Sequence, residues 1–300
     1  MKQPINLSVI ALVLVALMGA NCKKGSFDER TENMNRGTIS IYAEAEYRVL
    51  VEELVQSYEN VYPESDIQII YGTDAEVLQA LISDKTRMAF LGHGLSDEQK
   101  KAIAKVQEIE PEQYVIGREA IAIIASHDFP DSIFYFDAFL QGNSGDQSGW
   151  QYVFNAENSA MIGQLLGNSE AHPGMFSLGS ADTVIGYVSR NPKAVGFISF
   201  ATISDFDDPR VQEILQNVKV LQVAHTDSSG REIVTELSQS TIATRAYPFQ
   251  RYVTVVKGNT PELLGTGFVN FLYRSKASRI MLKEGLVPEK MPERQVKIVE

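Results

Sequence analysis

Residues 38–71 read TISIYAEAEYRVLVEELVQSYENVYPESDIQIIY, and this stretch carries the pattern that decides the fold. Apolar side chains alternate over residues 38–43, which predicts a strand, and then recur at helical spacing from Tyr47 to Tyr58. After a short polar break, residues 67–71 are again mostly apolar and predict a second strand. A strand, a helix and another strand in this order indicate an α/β sheet.

The same order of strand and helix continues along the chain. Gly72 and Thr73 lead into a second helix, residues 88–91 form a third strand, and another helix starts near Ser96. Further strands are predicted at residues 120–125, 150–154, 195–200 and 251–256. Further helices are predicted at residues 161–166, at residues 184–188 and from Thr260 onward. The alternation therefore predicts an α/β fold for the whole chain.

The N-terminal segment has the layout of an export signal. Lys2 provides a positive charge, residues 5–20 are largely apolar, and Cys22 follows directly. We expect residues 1–21 to be a cleaved signal peptide and Cys22 to become a lipid-anchored first residue, as in bacterial lipoproteins. An ordinary signal peptide with an incidental cysteine is the alternative. Residues 22–36 are polar and without periodicity, which predicts a flexible tether to the cell envelope.

Composition excludes several classes of protein. The 300 residues carry a net charge of -11, which argues against a nucleic-acid partner. Cys22 is the single cysteine, so an intrachain disulfide and a cysteine-based zinc site are both excluded. The hydrophobic fraction of 44% is ordinary for a soluble globular protein. We expect a monomer with no cofactor and no metal.

Motifs for catalysis are missing from the sequence. Four histidines are present, and no zinc-protease, nucleophile-elbow or phosphate-loop motif occurs. The adjacent pair Asp207 and Asp208 fits a solvated turn better than an acid–base pair. We therefore expect a protein that is not an enzyme, although a hydrolase that uses Ser159 or His93 stays open as an alternative.

Helix starts offer candidate anion sites. Thr73 with Glu76, and Ser96 with Gln99, have the spacing of capping boxes, and Ser159 follows another strand with a cap-type side chain. A helix N-terminus has unpaired N–H groups and the positive end of a dipole, which together bind anions. Each of these turns could also be a cap and nothing more.

The C-terminal quarter holds three motifs in a fixed order. They are Tyr-Pro-Phe-Gln-Arg-Tyr at residues 247–252, Gly-Phe-Val-Asn-Phe at residues 267–271 and Glu-Gly-Leu-Val-Pro at residues 284–288. Upstream segments at residues 71–76, 88–95, 118–124, 153–159 and 194–197 extend the series. In order and spacing this series resembles the phosphate-type (PstS-like) substrate-binding proteins of ABC importers, over nearly all of residues 37–297.

This resemblance implies a two-lobed, type II periplasmic-binding-protein fold, in which two crossover strands join two mixed sheets flanked by helices. Lobe 1 would combine residues 37–119 and 246–300, and lobe 2 would span residues 120–245. The protein would capture phosphate or a related small oxyanion between the lobes and release it to an ABC-transporter permease. The N-terminal lipid would hold it at the membrane, on the extracytoplasmic side of the cell envelope.

The resemblance also implies a set of ligand-binding residues at four turns. They are Ala45, Glu46, Thr73, Asp74, His93, Asn158, Ser159 and Ala160. Three of them depart from the family pattern. Glu46 stands where a hydroxyl is usual, His93 replaces an arginine or a Ser-Asp pair, and Ala160 replaces a glycine. A carboxylate at Glu46 would repel a phosphate dianion.

These departures leave an alternative function open. The chain could be a divergent family member that no longer binds phosphate and instead binds another small ligand or an envelope partner protein. Arg118 or Arg245 could compensate for the missing clamp, or each could be a surface ion-pair partner.

Overall fold

The computed structural model describes residues 33–141, 149–156, 159–167, 174–258 and 263–292. Within these ranges the chain forms thirteen strands, ten α-helices and two 3₁₀ turns, and the predicted α/β fold class is confirmed. The predicted signal peptide, Cys22, most of the predicted tether and the predicted helix start at Thr260 lie outside the described residues.

The strands are β1 (Gly37–Glu44), β2 (Ser65–Gly72), β3 (Met88–Leu91), β4 (Glu112–Ser126), β5 (Ile133–Tyr135), β6 (Gln151–Asn155), β7 (Met175–Leu178), β8 (Ala194–Ser199), β9 (Val218–Val220), β10 (Gln222–Thr226), β11 (Glu232–Thr235), β12 (Gln250–Lys257) and β13 (Val287–Pro288). The helices are α1 (Arg48–Val61), α2 (Asp74–Ile82), α3 (Asp97–Gln107), α4 (Phe136–Leu140), α5 (Ser159–Leu166), α6 (Ala181–Val188), α7 (Pro209–Asn217), α8 (Gln239–Ala243), α9 (Leu263–Leu272) and α10 (Ser275–Lys283). The 3₁₀ turns are Ala45–Tyr47 and Phe200–Ile203.

The strands predicted from apolar runs are all present. The run at residues 120–125 is the second half of a longer strand, β4, whose first half is more polar. Helix α7 is not predicted from the sequence, and the predicted solvated turn at Asp207 and Asp208 leads directly into it. Asp208 is in fact its N-cap and accepts a hydrogen bond of 2.8 Å from the N–H of Arg210, and Pro209 occupies the first helical position.

Strands β4 and β12 hold the centre of a ten-stranded sheet. The strand order is β2-β1-β3-β12-β4-β8-β6-β7, and β9 and β13 also pair with β4. Strand β12 pairs with the first half of β4, and β8 pairs with the second half, both antiparallel. The parallel strands on both sides, β1 and β3 on one and β6 and β8 on the other, therefore end near the middle of β4.

Two large apolar clusters bury the two halves of this sheet. One gathers β1, α1 and α9 around Tyr58 and Phe268, and the other gathers β4, β6 and β8 around Phe154 and Phe197. Helix α1 buries one face, which includes Leu50, because its apolar residues repeat at helical spacing. The two cores fix the strand ends that meet at the middle of β4.

Candidate ligand-binding cleft

A cavity of about 530 Å³ opens where strands β1 and β8 end. Residues 45–50, which follow β1, form one wall, and residues of the segment after β8 form another. Asn155, at the end of β6, and Ser180, at the start of α6, also line it. Ligands of open α/β sheets bind beyond the carboxyl ends of the strands, so this cleft cavity is the candidate binding site.

Helix α1 begins at the cleft cavity without a side-chain cap. The turn Ala45–Tyr47 precedes it, and neither Glu44 nor Tyr47 makes a capping hydrogen bond through its side chain. By contrast, α2, α3, α6 and α8 each begin with a complete capping box. The positive end of the α1 dipole therefore meets the cavity directly.

A buried ion-pair network borders the cavity. Nη2 of Arg251 lies 2.6 Å from Oε2 of Glu46, and its Nε forms an ion pair with Oε1 of Glu119. Tyr47 and Ser199 donate hydrogen bonds of 2.5 and 2.6 Å to the two oxygens of Glu119. The side chains of Arg251 and Glu119 are 1% and 0% exposed. The network thus ties β12 and β4 to the segments that follow β1 and β8.

Glu44 brings a third carboxyl group to this network. It is the last residue of β1, is fully buried, and accepts a hydrogen bond of 2.8 Å from the N–H of Gly92. The Glu46 carboxylate is near enough to raise the pKa of Glu44. A Cβ atom at Gly92 would lie 2.5 Å from Oη of Tyr47 and 3.1 Å from Nη1 of Arg251. A glycine is therefore required for this close approach.

The charge state of this network follows from burial. Burial raises the pKa of Glu44 well above 4.5, and the Glu46 carboxylate raises it further. Burial also raises the pKa of Glu119, while Arg251 opposes that shift. For Arg251, burial works to lower the pKa, but Glu119 and Glu46 outweigh it and hold the pKa well above its usual value. Arg251 therefore stays charged, and burial favours the protonated form of Glu44.

Replacing Glu44 by Gln should stabilise the protein at pH 8. The stability that protonated Glu44 contributes is fully present below its unfolded-chain pKa of 4.5 and is lost as pH rises through the raised pKa of the folded state. Glutamine is neutral at every pH. The free energy of unfolding should therefore rise by about 1.4 kcal/mol for every pH unit by which the pKa of Glu44 in the fold exceeds 4.5. Urea unfolding at pH 4 and pH 8 measures it, and the gain should vanish at pH 4.

Glu76→Gln provides a control of opposite sign. Hydrogen bonds from the N–H and hydroxyl of Thr73 lower the pKa of Glu76, so its stabilising effect is present above the unfolded-chain pKa and is lost in acid. This variant should lose stability at pH 8 and little at low pH. A Glu44→Gln protein that is less stable than the wild type at pH 8 would show that Glu44 is ionised in the fold.

The wall of the cleft cavity is predominantly acidic. Its acidic residues are Glu46, Glu53, Asp182, Asp205, Asp208 and Glu284, and its basic residues are Arg48, Arg210 and Lys283. Each basic side chain already has a carboxylate partner, in the pairs Arg48–Glu52 at 3.6 Å, Arg210–Asp182 at 2.6 Å and Lys283–Glu53 at 2.7 Å. The cavity therefore has an excess of negative charge, which repels a dianion.

The sequence-predicted site residues fall in different places. Ala45 and Glu46 line the cleft cavity. Thr73 caps α2, and the N–H groups at this turn already have acceptors, since Asp74 binds the N–H of Ala75 at 2.8 Å and Thr73 binds that of Glu76 at 3.3 Å. Both predicted capping boxes, at Thr73 and Ser96, are confirmed.

The remaining predicted site residues are His93, Asn158, Ser159 and Ala160. His93, in the loop after β3, donates from Nδ1 to the carbonyl oxygen of Gly94 at 2.9 Å. Ser159 and Ala160 are the first two residues of α5, which contacts α2. Asn158 lies outside the described residues. The ligand-binding role of these residues stays a prediction.

Arg118 and Arg245 do not reach the cleft cavity. They line a separate pocket of about 210 Å³ together with residues of β12. Neither arginine has a carboxylate within 4.0 Å among the described residues, so the expectation of surface ion pairs is not met there.

The sequence analysis did not predict that Glu44, Glu119 and Arg251 lie together in one buried network. Two signals were available: Arg251 lies inside the Tyr-Pro-Phe-Gln-Arg-Tyr motif, and Glu119 directly precedes the apolar run at residues 120–125. A charged residue beside a buried strand indicates a buried ion pair. Its partner, however, depends on the register between β4 and β12, in which Arg251 lies opposite Glu119.

The described residues lack a metal-binding cluster and a helix suited to crossing a membrane. No group of three or more His, Cys, Asp or Glu side chains in these ranges is arranged to hold a metal ion. None of the helices found there has the length and apolar character needed to cross a membrane.

Comparison with known proteins places this fold. Residues 28–276 match the family described as PBP superfamily domain. A putative phosphate ABC transporter substrate-binding protein from Clostridium perfringens, solved with bound phosphate, superposes with a TM-score of 0.65 at 17% identity, covering 85% of this chain and 100% of that one. An ABC-type phosphate transport receptor from Vibrio cholerae gives a TM-score of 0.63 at 16% identity, covering 84% and 100%.

A third solved structure, PstS from Borrelia burgdorferi, gives a TM-score of 0.55 at 17% identity and covers 84% of this chain and 99% of its own. No curated protein matches the chain. The family match spans far more than half of the sequence, and the structural matches share the arrangement of strands and helices described above. The chain therefore belongs to the PBP superfamily and has the type II periplasmic-binding-protein fold of phosphate-type substrate-binding proteins.

Proposed function

We propose that this chain is the extracytoplasmic substrate-binding protein of an ABC importer, which captures a small solute in the cleft cavity and releases it unchanged to a permease. Family membership supports this role, and so does a cavity at the carboxyl ends of the strands. The proteins from Clostridium perfringens and Vibrio cholerae are both described as components of phosphate transport. Nothing in the described residues favours the hydrolase alternative.

The solute itself is a cation or a zwitterion rather than a phosphate dianion. Arg251 carries this part of the proposal, because its guanidinium, in the network that borders the cleft cavity, is already bound to Glu46 and Glu119. An incoming dianion would have to displace these carboxylates and enter an acidic cavity. The geometry thus favours the divergent family member that binds another ligand.

A zwitterionic solute matches both the uncapped helix N-terminus and the negative charge of the cleft cavity. Its carboxylate group would meet the uncapped N-terminus of α1, where the helix dipole favours negative charge. Its ammonium group would meet Asp205 and Glu284, which line the cavity and leave it with excess negative charge. A simple amine would make only the contact with Asp205 and Glu284.

A thermal-shift screen with matched variants tests the ligand class. Amino acids, diamines, phosphate and sulfate would be added to the purified protein. We expect a cationic or zwitterionic solute to raise Tm by several degrees at about 100 times its Kd. The shift should be lost in Asp205→Asn/Glu284→Gln, because these changes remove charge from the cavity wall.

The control variant is Asp66→Asn, an exposed position on β2 that hydrogen-bonds to Gln68 and does not line the cleft cavity. It should behave as the wild type. The proposed ligand class would be wrong if no cationic or zwitterionic solute changed Tm and phosphate bound more tightly to the Asp205→Asn/Glu284→Gln variant. Phosphate would then be the substrate.

The N-terminal segment and the lobe boundaries complete the proposal. Removal of residues 1–21 would leave Cys22 as a lipid anchor, with residues 22–36 as the tether. Lobe 1 would be residues 37–119 with 246–300, and lobe 2 would be residues 120–245. In a bacterial host, Cys22→Ser should move the protein from the membrane fraction to the soluble fraction, and an unchanged distribution would exclude the anchor.

A further inference from the structure

The pocket around Arg118 and Arg245 has the features of an anion site. It encloses about 210 Å³ and shares no lining residue with the cleft cavity. Arg118 on β4 lies opposite Tyr252 on β12, so the two side chains are neighbours where the central strands pair. Gln250 and Tyr247 add further polar groups to its wall.

Arg118 is held in place by neutral acceptors and has no carboxylate partner among the described residues. It donates hydrogen bonds to the carbonyl oxygens of Ile242 and Ala243, at 3.1 and 3.4 Å, and to Oε1 of Gln250 at 3.3 Å. All three acceptors are neutral. A guanidinium has five donors, so these contacts leave others for a ligand. By contrast, Arg251 is bound by two carboxylates.

Arg245 occupies a backbone position that favours glycine. It follows Thr244, the C-cap of α8, with a φ of 60° in the left-handed region. Glycine is the residue usually found at this point, because a Cβ atom makes the conformation unfavourable. Residues held in such conformations gather at ligand-binding sites. Here the strained position places a second arginine at the wall of the pocket.

We propose that this pocket binds a small free oxyanion, of the phosphate, sulfate or carboxylate class, between Arg118 and Arg245. Paired guanidinium groups give charge-assisted hydrogen bonds that suit oxyanions. Tyr252, which is 47% exposed, can donate a further hydrogen bond from the rim. The site would join α8 to both central strands and lies outside the cleft cavity, with Arg251 of the buried network also in its wall.

Calorimetric titration with sulfate and with phosphate, at physiological ionic strength, tests the site. The wild type should bind at least one of them, and Arg245→Gly should weaken binding roughly tenfold or more, since it removes a charged hydrogen-bond donor. The same variant should keep or raise Tm, because glycine relieves the left-handed position. Arg118→Gln should weaken binding as well, with Tm measured to show that the protein is folded.

Arg231→Gln is the matched control, since Arg231 is exposed and pairs with Asp227 at 3.1 Å in a distant turn. It should bind as the wild type does. No binding tighter than about 10 mM in the wild type, or equal binding in Arg245→Gly, overturns the site. Anion binding that changes in Asp205→Asn/Glu284→Gln but not in the arginine variants also overturns it, and places the anion in the cleft instead.

Discussion

Replacing Arg251 by Met should lower the free energy of unfolding by about 3–5 kcal/mol at pH 7.5. The substitution keeps most of the side-chain volume and removes the charge that Glu46 and Glu119 share. Both carboxyl groups would then be buried without a cation, next to Glu44. Since a domain is stable by about 5–15 kcal/mol, this is a large part of the total, and urea unfolding measures it directly.

The loss should depend on pH, with a sign that identifies its cause. Arg251 works to lower the pKa of Glu119, so its removal raises that pKa further. A carboxyl group with a raised pKa favours the folded state below the unfolded-chain value of 4.5, and this contribution is lost as pH rises. The destabilisation should therefore be smaller near pH 4 than at pH 7.5.

Arg210→Met is the control for this prediction. Arg210 also forms an ion pair of 2.6 Å, with Asp182, but the two side chains are 63% and 66% exposed. Its loss should stay within about 1 kcal/mol because solvent screens the pair. If the Arg251 and Arg210 variants were equally stable, the buried network would have no special role in the fold.

Replacing Phe197 by Ala should also destabilise the protein by about 3–5 kcal/mol. Phe197 lies on β8, is fully buried, and stacks on Phe154 of β6 with ring centroids 4.5 Å apart. Phe134 packs edge-on against it at 5.6 Å. Urea unfolding measures the loss, and the slope with urea concentration shows whether unfolding stays two-state.

This change should also weaken solute binding. Strand β6 ends at Asn155 and β8 ends at Ser199, and both residues line the cleft cavity. A void between the two strands loosens the positions of these groups. Phe206→Ala provides the control, because Phe206 is 63% exposed and its removal should cost within about 0.5 kcal/mol. Equal losses in the two phenylalanine variants would contradict the packing argument.

Local features of the fold were readable because their causes lie close together in the sequence. The capping boxes join residues three positions apart, at Thr73 with Glu76 and at Ser96 with Gln99, and both form as predicted. Strand β3 has the predicted bounds, since its apolar run is short and follows a polar turn. Helix α7 was not predicted, because the acidic pair Asp207 and Asp208 was interpreted as a solvated turn and Asp208 was not identified as the N-cap.

Only part of the candidate site could be predicted from the sequence, because some of its contacts join residues that are far apart in the chain. Glu46 was identified as a departure from the family pattern, and its conflict with a dianion was foreseen from its charge. What it binds could not be foreseen, because its partner Arg251 is 205 residues away. Both α1 and α2 begin at turns that the family resemblance implies for ligand binding; α2 begins with a capping box, whereas α1 begins at the cavity without a side-chain cap.

The sequence by itself determined the order of strands and helices, the α/β class and the family motifs, because these depend on side-chain periodicity and short-range contacts. The tertiary structure decided the chemistry of the cleft. The register of β4 and β12 sets Arg251 opposite Glu119, and burial raises the pKa of Glu44. Long-range pairing fixes which charges meet and how far water is excluded from them, and these two quantities decide which solute the cleft can hold.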